Sequence, residues 1–151
     1  MGDRAVAGFR AKSGDPTIFI YQHWVRGTQE QVLANAIEAA RPRWGDDSYA
    51  TRICLSQIVA DDWASETGYG IYVGGDKHGA DYDHILIVEW DSREVIVADN
   101  DDSDHEVARI SFDEFISDPI VSVANASLDF AREKAEMWEK RLEAMKAGKL
   151  S

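Results

Sequence analysis

The chain has 151 residues, of which 44% are hydrophobic and 29% are charged, a balance that fits one folded domain and excludes a disordered chain. No apolar run approaches the roughly 18 residues that suggest a membrane span, and the N-terminus lacks the basic and apolar regions of a secretory signal. The single cysteine, Cys54, cannot form an internal disulfide, so we expect a cytoplasmic protein.

The formal net charge of −12 is concentrated in the middle of the chain. Residues 76–118 hold fourteen acids and three bases, a local net charge of −11, whereas residues 119–151 hold five acids and six bases. Such a field repels phosphate, so direct nucleic-acid binding is not expected. It suits a basic protein partner, a cation or imitation of nucleic-acid charge, and a solvated face that aids solubility is the simpler interpretation.

The first sixty residues predict two strands and then two helices. "RAVAGFR" and "TIFIYQH" are typical of strands, and the turn residues Gly14 and Pro16 between them predict a hairpin. Thr28 is a good N-cap for a first helix, and Pro42 ends it. A second helix is expected to begin at Asp46 or Asp47, and its apolar stripe includes the cysteine.

From Thr67 onward the apolar period becomes that of extended chain. "GYGIYVGG", "DHILIVEW", "EVIVAD" and "HEVARIS" predict further strands, and Ser111 with Glu114 forms a capping box for a short helix that Pro119 ends. Strands and helices are thus segregated and joined by short turns. We therefore predict a single α+β domain over residues 1–151, with a largely antiparallel sheet of five to six strands, two central helices and a long C-terminal helix.

The C-terminal helix carries the most regular pattern in the chain. Its apolar residues repeat at spacings of three and four, as in a heptad seam. They are Leu128, Ala131, Ala135, Trp138, Leu142 and Met145. This seam predicts either docking on the domain's own sheet or a homodimer through the helix, and two and a half heptads are short for a coiled coil.

Two bends combine arginine and tryptophan beside a predicted helix start. The first, "YQHWVRGT", contains His23, Trp24 and Arg26, and the second, "RPRWGDD", contains Arg43 and Trp44. Backbone donors at a helix N-terminus, a guanidinium and an indole together suit a nucleotide-like anion. The alternative is that these side chains only complete the core. If the two corners converge, they form one pocket.

A glycine-rich strand entry completes the candidate site. "ETGYGIYVGG" leads into a strand and not a helix, so it is not a dinucleotide fingerprint, but its side chains could line a pocket. We expect the arginines to neutralise charge, the tryptophans to stack, and the remaining side chains to donate or accept hydrogen bonds. The predicted ligand-binding residues are His23, Trp24, Arg26, Arg43, Trp44, Glu66 and Tyr69.

Neither a metal, a cofactor nor a catalytic group is predicted. His78 and His84 lie near acids in a loop, and "DNDDSDHE", Asp99 to Glu106, begins like a calcium loop with Asp99 and Asp101, but both spacings favour solvated turns over metal sites. Cys54 lies on an apolar helical face without a neighbouring histidine, which is typical of an inert thiol. A hydrolase that uses His23 with a carboxylate stays open as an alternative.

The motifs "YQHW", "RWGDDSYATRI" and "DDWASETGYGI" occur in this order, and with them the chain resembles a set of small proteins encoded by tailed bacteriophages and some bacteria. The resemblance covers roughly residues 3–99 and implies no established activity. It implies an accessory role in the host cytoplasm. The leading hypothesis is a non-enzymatic binding module that captures a host partner or a small anionic ligand and modulates host defence. The alternatives are a small nucleotide or signal hydrolase and an acidic protein that mimics nucleic-acid charge.

Overall fold

The structure is a computed structural model that describes residues 3–25, 27–74, 78–82 and 84–148. The strands are β1 (Ala5–Arg10), β2 (Ile18–Gln22), β3 (Tyr69–Val73), β4 (His84–Glu89), β5 (Glu94–Asp99) and β6 (Glu106–Ser111). The helices are α1 (Gln29–Ala39), α2 (Asp47–Val59), α3 (Phe112–Ser117) and α4 (Pro119–Lys146). Short 3₁₀ turns at Arg41–Arg43 and Ala60–Asp62 follow α1 and α2. The predicted α+β class is confirmed.

The six strands form one mixed sheet in the order β3-β2-β1-β4-β5-β6. Only β1 and β4 pair in parallel, and every other neighbouring pair is antiparallel, as the predicted hairpins require. The parallel pair places the first residues of β1 and β4 at the same end of the sheet, beside the last residues of β2. The N-terminal end of α1 lies at this end of the sheet too, because α1 follows β2 after a short loop.

One face of the sheet is covered by the helices. Alternate strand residues such as Phe9, Val88 and Val97 contact the apolar sides of the helices and form the larger core. Trp90 is buried at its centre, where its indole Nε1 donates to Thr51 Oγ1 on α2 at 3.0 Å. This core orients α1 and α2 side by side on the sheet.

The opposite face has a smaller apolar cluster and a charged patch. Phe19, Ile87 and Ile96 belong to the cluster, and Ala80 packs against it from the segment between β3 and β4. Asn100 holds that segment, since its side chain donates to the Ala80 carbonyl and accepts from the Ala80 amide. The segment that contains Ala80, and not a helix, therefore covers part of the apolar cluster on this face.

Helix capping follows the sequence with one exception. Asp46 and Ser111 accept the expected backbone hydrogen bonds at the starts of α2 and α3, and Asp118 does so for α4. Thr28 precedes α1 as predicted but makes no capping bond, because its hydroxyl donates to the Val25 carbonyl instead.

The long helix α4 begins nine residues before the first seam residue, Leu128, with Pro119 at its first turn. Its first half packs on β6, α3 and α1. Docking on the domain therefore explains the burial of that half but not the position of the second half. From Ala131 onward almost every residue is exposed, and we call residues 131–146 distal α4. Among the described helices, none combines the length and apolar character needed to cross a membrane.

Candidate functional site

The first predicted corner lies where β2 ends. The amide of His23 donates to the Gly68 carbonyl at 2.9 Å, its Nδ1 lies 3.2 Å from the Tyr21 hydroxyl, and its ring stacks on Trp24 with centroids 4.6 Å apart. Trp24 has a positive φ of 62° and is 65% exposed. An exposed indole held by an imidazole is therefore available at this corner.

The glycine-rich stretch reaches the same corner through Gly68. Tyr69 opens β3 opposite Gln22, and its half-buried ring packs against the larger core. Glu66 is exposed and makes no hydrogen bond or ion pair with any described residue. Arg26, the predicted anion ligand, lies outside the described residues.

The second predicted corner is mostly interior. Trp44 is only 7% exposed, donates from Nε1 to the Ile37 carbonyl at 2.9 Å, and meets Phe112 edge to face. The guanidinium of Arg41 covers its ring at 4.3 Å. Arg43 is exposed and lies over Tyr49 instead. Trp44 is thus a core residue and cannot offer a face to a ligand.

The structure does not bring the two corners together. One precedes α1 and the other follows it, and a helix of 11 residues is about 16 Å long. The physical reason is that both motifs are tied to the ends of the same rigid helix. His23, Trp24 and Tyr69 share one corner, while Arg43 and Trp44 lie at the other.

A pocket of about 180 Å³ does lie at the N-terminal end of α1, on the helix-covered face. Its apolar wall is formed by Leu33, Leu86 and Val123, and its floor by Ala5 and Ala7 of β1. Both alanines are buried and line the cavity. We call this cavity the α1 pocket.

Five polar side chains line the α1 pocket, namely Gln22, Gln29, Glu30, Tyr82 and His84. Gln22 is only 4% exposed, and its carboxamide makes no hydrogen bond to any described residue. Gln29 donates from Nε2 to Glu30 Oε1 at 3.3 Å, while its enclosed Oε1 has no partner in the described part of the chain. Burial raises the pKa of the Glu30 carboxyl. The pocket therefore combines a half-buried carboxyl group with glutamine side chains that have unused hydrogen-bonding atoms.

The polar residues of the α1 pocket can be recognised from their positions in the sequence pattern, although not from composition. Gln22 is two residues after Ile20, so it lies on the same buried face of β2, and Glu30 is three residues before Leu33 on the buried face of α1. A polar residue on a predicted buried face needs a partner. That rule points to Gln22, the immediate neighbour of the predicted His23.

The loop histidines do not lie on one side of the sheet. The ring of His78 packs against Phe19 on the face opposite the helices, with its Nδ1 2.6 Å from the Tyr72 hydroxyl, whereas His84 lines the α1 pocket. Asp81 forms an ion pair with Arg4 at 2.9 Å. Within the described ranges no group of three potential ligands could hold a metal ion.

Two other features bear on the predicted chemistry. Cys54 is fully buried, and burial raises the pKa of its thiol to about 12, as expected for an inert core residue. The acidic middle of the chain is partly neutralised on the opposite face, where Arg10 and Arg109 pair with Glu89 and Glu106. The remaining negative surface includes the exposed β5–β6 turn at residues 101–102 and 104.

Distal α4 exposes several large apolar side chains. Trp138 is 58% exposed and Met145 48% exposed, and both belong to the predicted seam. Met137 is 64% exposed but lies outside the seam, because it directly precedes Trp138 and is turned about 100° away from it around the helix. The part of the seam on distal α4 is therefore a mostly exposed helical face that extends beyond the domain.

Neither a protein-family model, a curated protein nor a solved structure matches this chain.

Proposed function

We propose that this protein is a non-enzymatic binding module that acts through distal α4, with a second copy of the chain as its partner there. The observation that supports this is the exposure of Trp138 and Met145 on a helix that has left its own domain. Isolated helices gain most of their stability from packing an apolar face against a partner. A helix that projects with such a face is therefore a docking element.

The charge distribution favours a second copy over a basic protein at this helix. Residues 119–151 carry six bases and five acids, whereas residues 1–118 carry ten bases and twenty-three acids, a net charge of −13. Most of this negative charge lies in residues 76–118, and two copies repel each other where those segments approach. The α4 segment has a nearly balanced charge and can approach a second copy of itself without that repulsion.

Side-chain size favours an antiparallel pair. When the seams of two helices run in opposite directions, Ala135 faces the second copy's Trp138 and Ala131 faces the second copy's Leu142. Each large side chain then fills the space beside a small one. A parallel pair would instead oppose two tryptophans and two pairs of alanines. The antiparallel arrangement also keeps the two acidic domains at opposite ends of the pair.

The wider role that we propose rests on the resemblance to phage and bacterial proteins. It is that of an accessory protein in the host cytoplasm, which captures a host partner and modulates host defence. A dimer supports such a role because it presents two copies of every other surface to the same target.

The test is the oligomeric state of the full chain, measured by sedimentation velocity over a wide concentration series. We expect the wild type to convert from monomer to dimer with rising concentration. Trp138→Glu should stay monomeric, since it places a charge in the seam, while Met137→Glu adds the same charge outside the seam and should behave as the wild type. A wild type that is monomeric throughout, or two variants that behave alike, would overturn the proposal.

A further inference from the structure

We propose that the α1 pocket binds a small uncharged ligand with a planar edge of adjacent hydrogen-bond donors and acceptors, the edge that nucleobases and nucleosides present. This site is separate from distal α4 and does not depend on the proposed function. The side chain that carries the inference is Gln22.

Gln22 lines the pocket and makes no side-chain hydrogen bond with the described residues. The residue is 4% exposed, and its carboxamide is not fully enclosed but keeps its remaining access to the pocket. Polar side chains this deeply buried usually have a hydrogen-bond partner. A carboxamide offers one acceptor and two donors in a plane, and this geometry matches an adjacent donor and acceptor on a base edge.

The neighbouring polar groups offer further hydrogen-bonding positions to a ligand. Gln29 uses its Nε2 on Glu30, which leaves its enclosed Oε1 as an acceptor. The half-buried Glu30 side chain adds acceptor oxygens beside Gln29. Tyr82 and His84 complete the polar side of the pocket. These groups suit a ligand that has several N–H and acceptor positions.

The apolar side of the pocket fits a flat ring. Leu33 and Val123 approach from the helices and Leu86 from the sheet, above the small side chains of Ala5 and Ala7. The volume of about 180 Å³ lies below the roughly 300–1,000 Å³ of pockets for drug-sized ligands. The occupant is therefore closer in size to one heterocycle than to a nucleotide.

Charge selects against ions of either sign. The described lining contains no lysine or arginine to neutralise a phosphate, and Glu30 would repel one. The helix dipole at the N-terminal end of α1 favours negative charge and disfavours positive charge, which is the reverse of the effect of Glu30, so an ion of either sign meets one unfavourable interaction. An uncharged ligand avoids both costs.

The experiment titrates the full chain with the free bases adenine, guanine, cytosine and uracil, with their nucleosides, and with the corresponding monophosphates. Binding is followed by calorimetry and by the NMR signals of the glutamine side-chain amides. We expect at least one base or nucleoside to bind and to shift the Gln22 amide signals, and the monophosphate of that base to bind more weakly.

Gln22→Met is the decisive variant, because methionine has a similar length but cannot form the amide hydrogen bonds. It should weaken binding at least about tenfold and raise the thermal midpoint of the unliganded protein, since a nearly buried amide that has no hydrogen-bond partner among the described residues is replaced by an apolar group. Gln57→Met, which alters an exposed glutamine on α2, is the matched control and should change neither quantity. Ala5→Val, which narrows the pocket with a residue that strands favour, should also weaken binding.

Three outcomes would overturn the proposal. One is the absence of binding by every base and nucleoside up to the solubility limit. Another is tighter binding of the monophosphates than of the nucleosides, which would indicate an anion site. The third is a Gln22→Met protein that unfolds at lower temperature and still binds, because Gln22 would then be a structural residue.

Discussion

Different interactions stabilise the side chains that are buried on the two faces of the sheet. On the helix-covered face, aromatic residues such as Trp44 and Trp90 form the core, and each indole nitrogen has one hydrogen-bond partner. On the opposite face, Glu89 is 3% exposed yet charged, held between Arg10 and Arg109. The difference shows that an acidic stretch of sequence does not equal an acidic surface, because its most buried acid, Glu89, is neutralised by Arg109 from the same stretch and by Arg10 from β1.

The largest effect is expected on the helix-covered face. Trp44→Ala should lower the free energy of unfolding by about 3–5 kcal/mol, since it leaves a cavity beside Phe112 and removes the bond to the Ile37 carbonyl. Trp24→Ala is the matched change at the other corner, and it should cost within about 0.5 kcal/mol because that ring is mostly exposed. Urea unfolding followed by circular dichroism measures both. Equal losses would contradict the assignment of one tryptophan to the core and the other to the surface.

The next effect concerns the opposite face. Burial by itself would raise the pKa of Glu89, but hydrogen bonds from Arg109, Ser92, Ser13 and Arg10 lower it to about 2. A carboxyl whose pKa is lower in the folded state stabilises the fold above its unfolded pKa, near 4.5, and loses that contribution as the pH falls toward 2. Glu89→Gln should therefore cost about 3 kcal/mol at neutral pH.

The control for this prediction is Glu94→Gln, which alters a more exposed acid that pairs with the same Arg109 and should cost less than about 1 kcal/mol. Urea unfolding at a series of pH values measures the two variants. The gap between wild type and Glu89→Gln should shrink steadily from pH 5 to pH 2. A gap that stays constant with pH would show that Glu89 acts through packing and not through its charge.

The sequence predicted the elements but not which of the candidate side chains are buried, and particular residues show why. Strand alternation and helix caps depend on local spacing, so β1, β2, α2 and the cap at Ser111 lie where they were expected. The fate of Trp44 depends on Phe112, which is far away in the chain. The parallel pairing of β1 with β4 is also long-range, and it is this pairing that brings Ala5 and His84 to the α1 pocket. Local patterns cannot reveal either contact.

The smallest predicted effect compares two polar side chains on the helix-covered face itself. Thr51 accepts from Trp90 Nε1 at 3.0 Å, so Thr51→Val keeps the shape but leaves a buried donor unpaired, at a cost of about 1–3 kcal/mol. Gln22 makes no such hydrogen bond with the described residues, and Gln22→Met should stabilise the unliganded protein. The two variants therefore shift the thermal midpoint in opposite directions in one scanning calorimetry experiment. A shift of the same sign for both would mean that the amide of Gln22 is already satisfied by its surroundings, as the hydroxyl of Thr51 is.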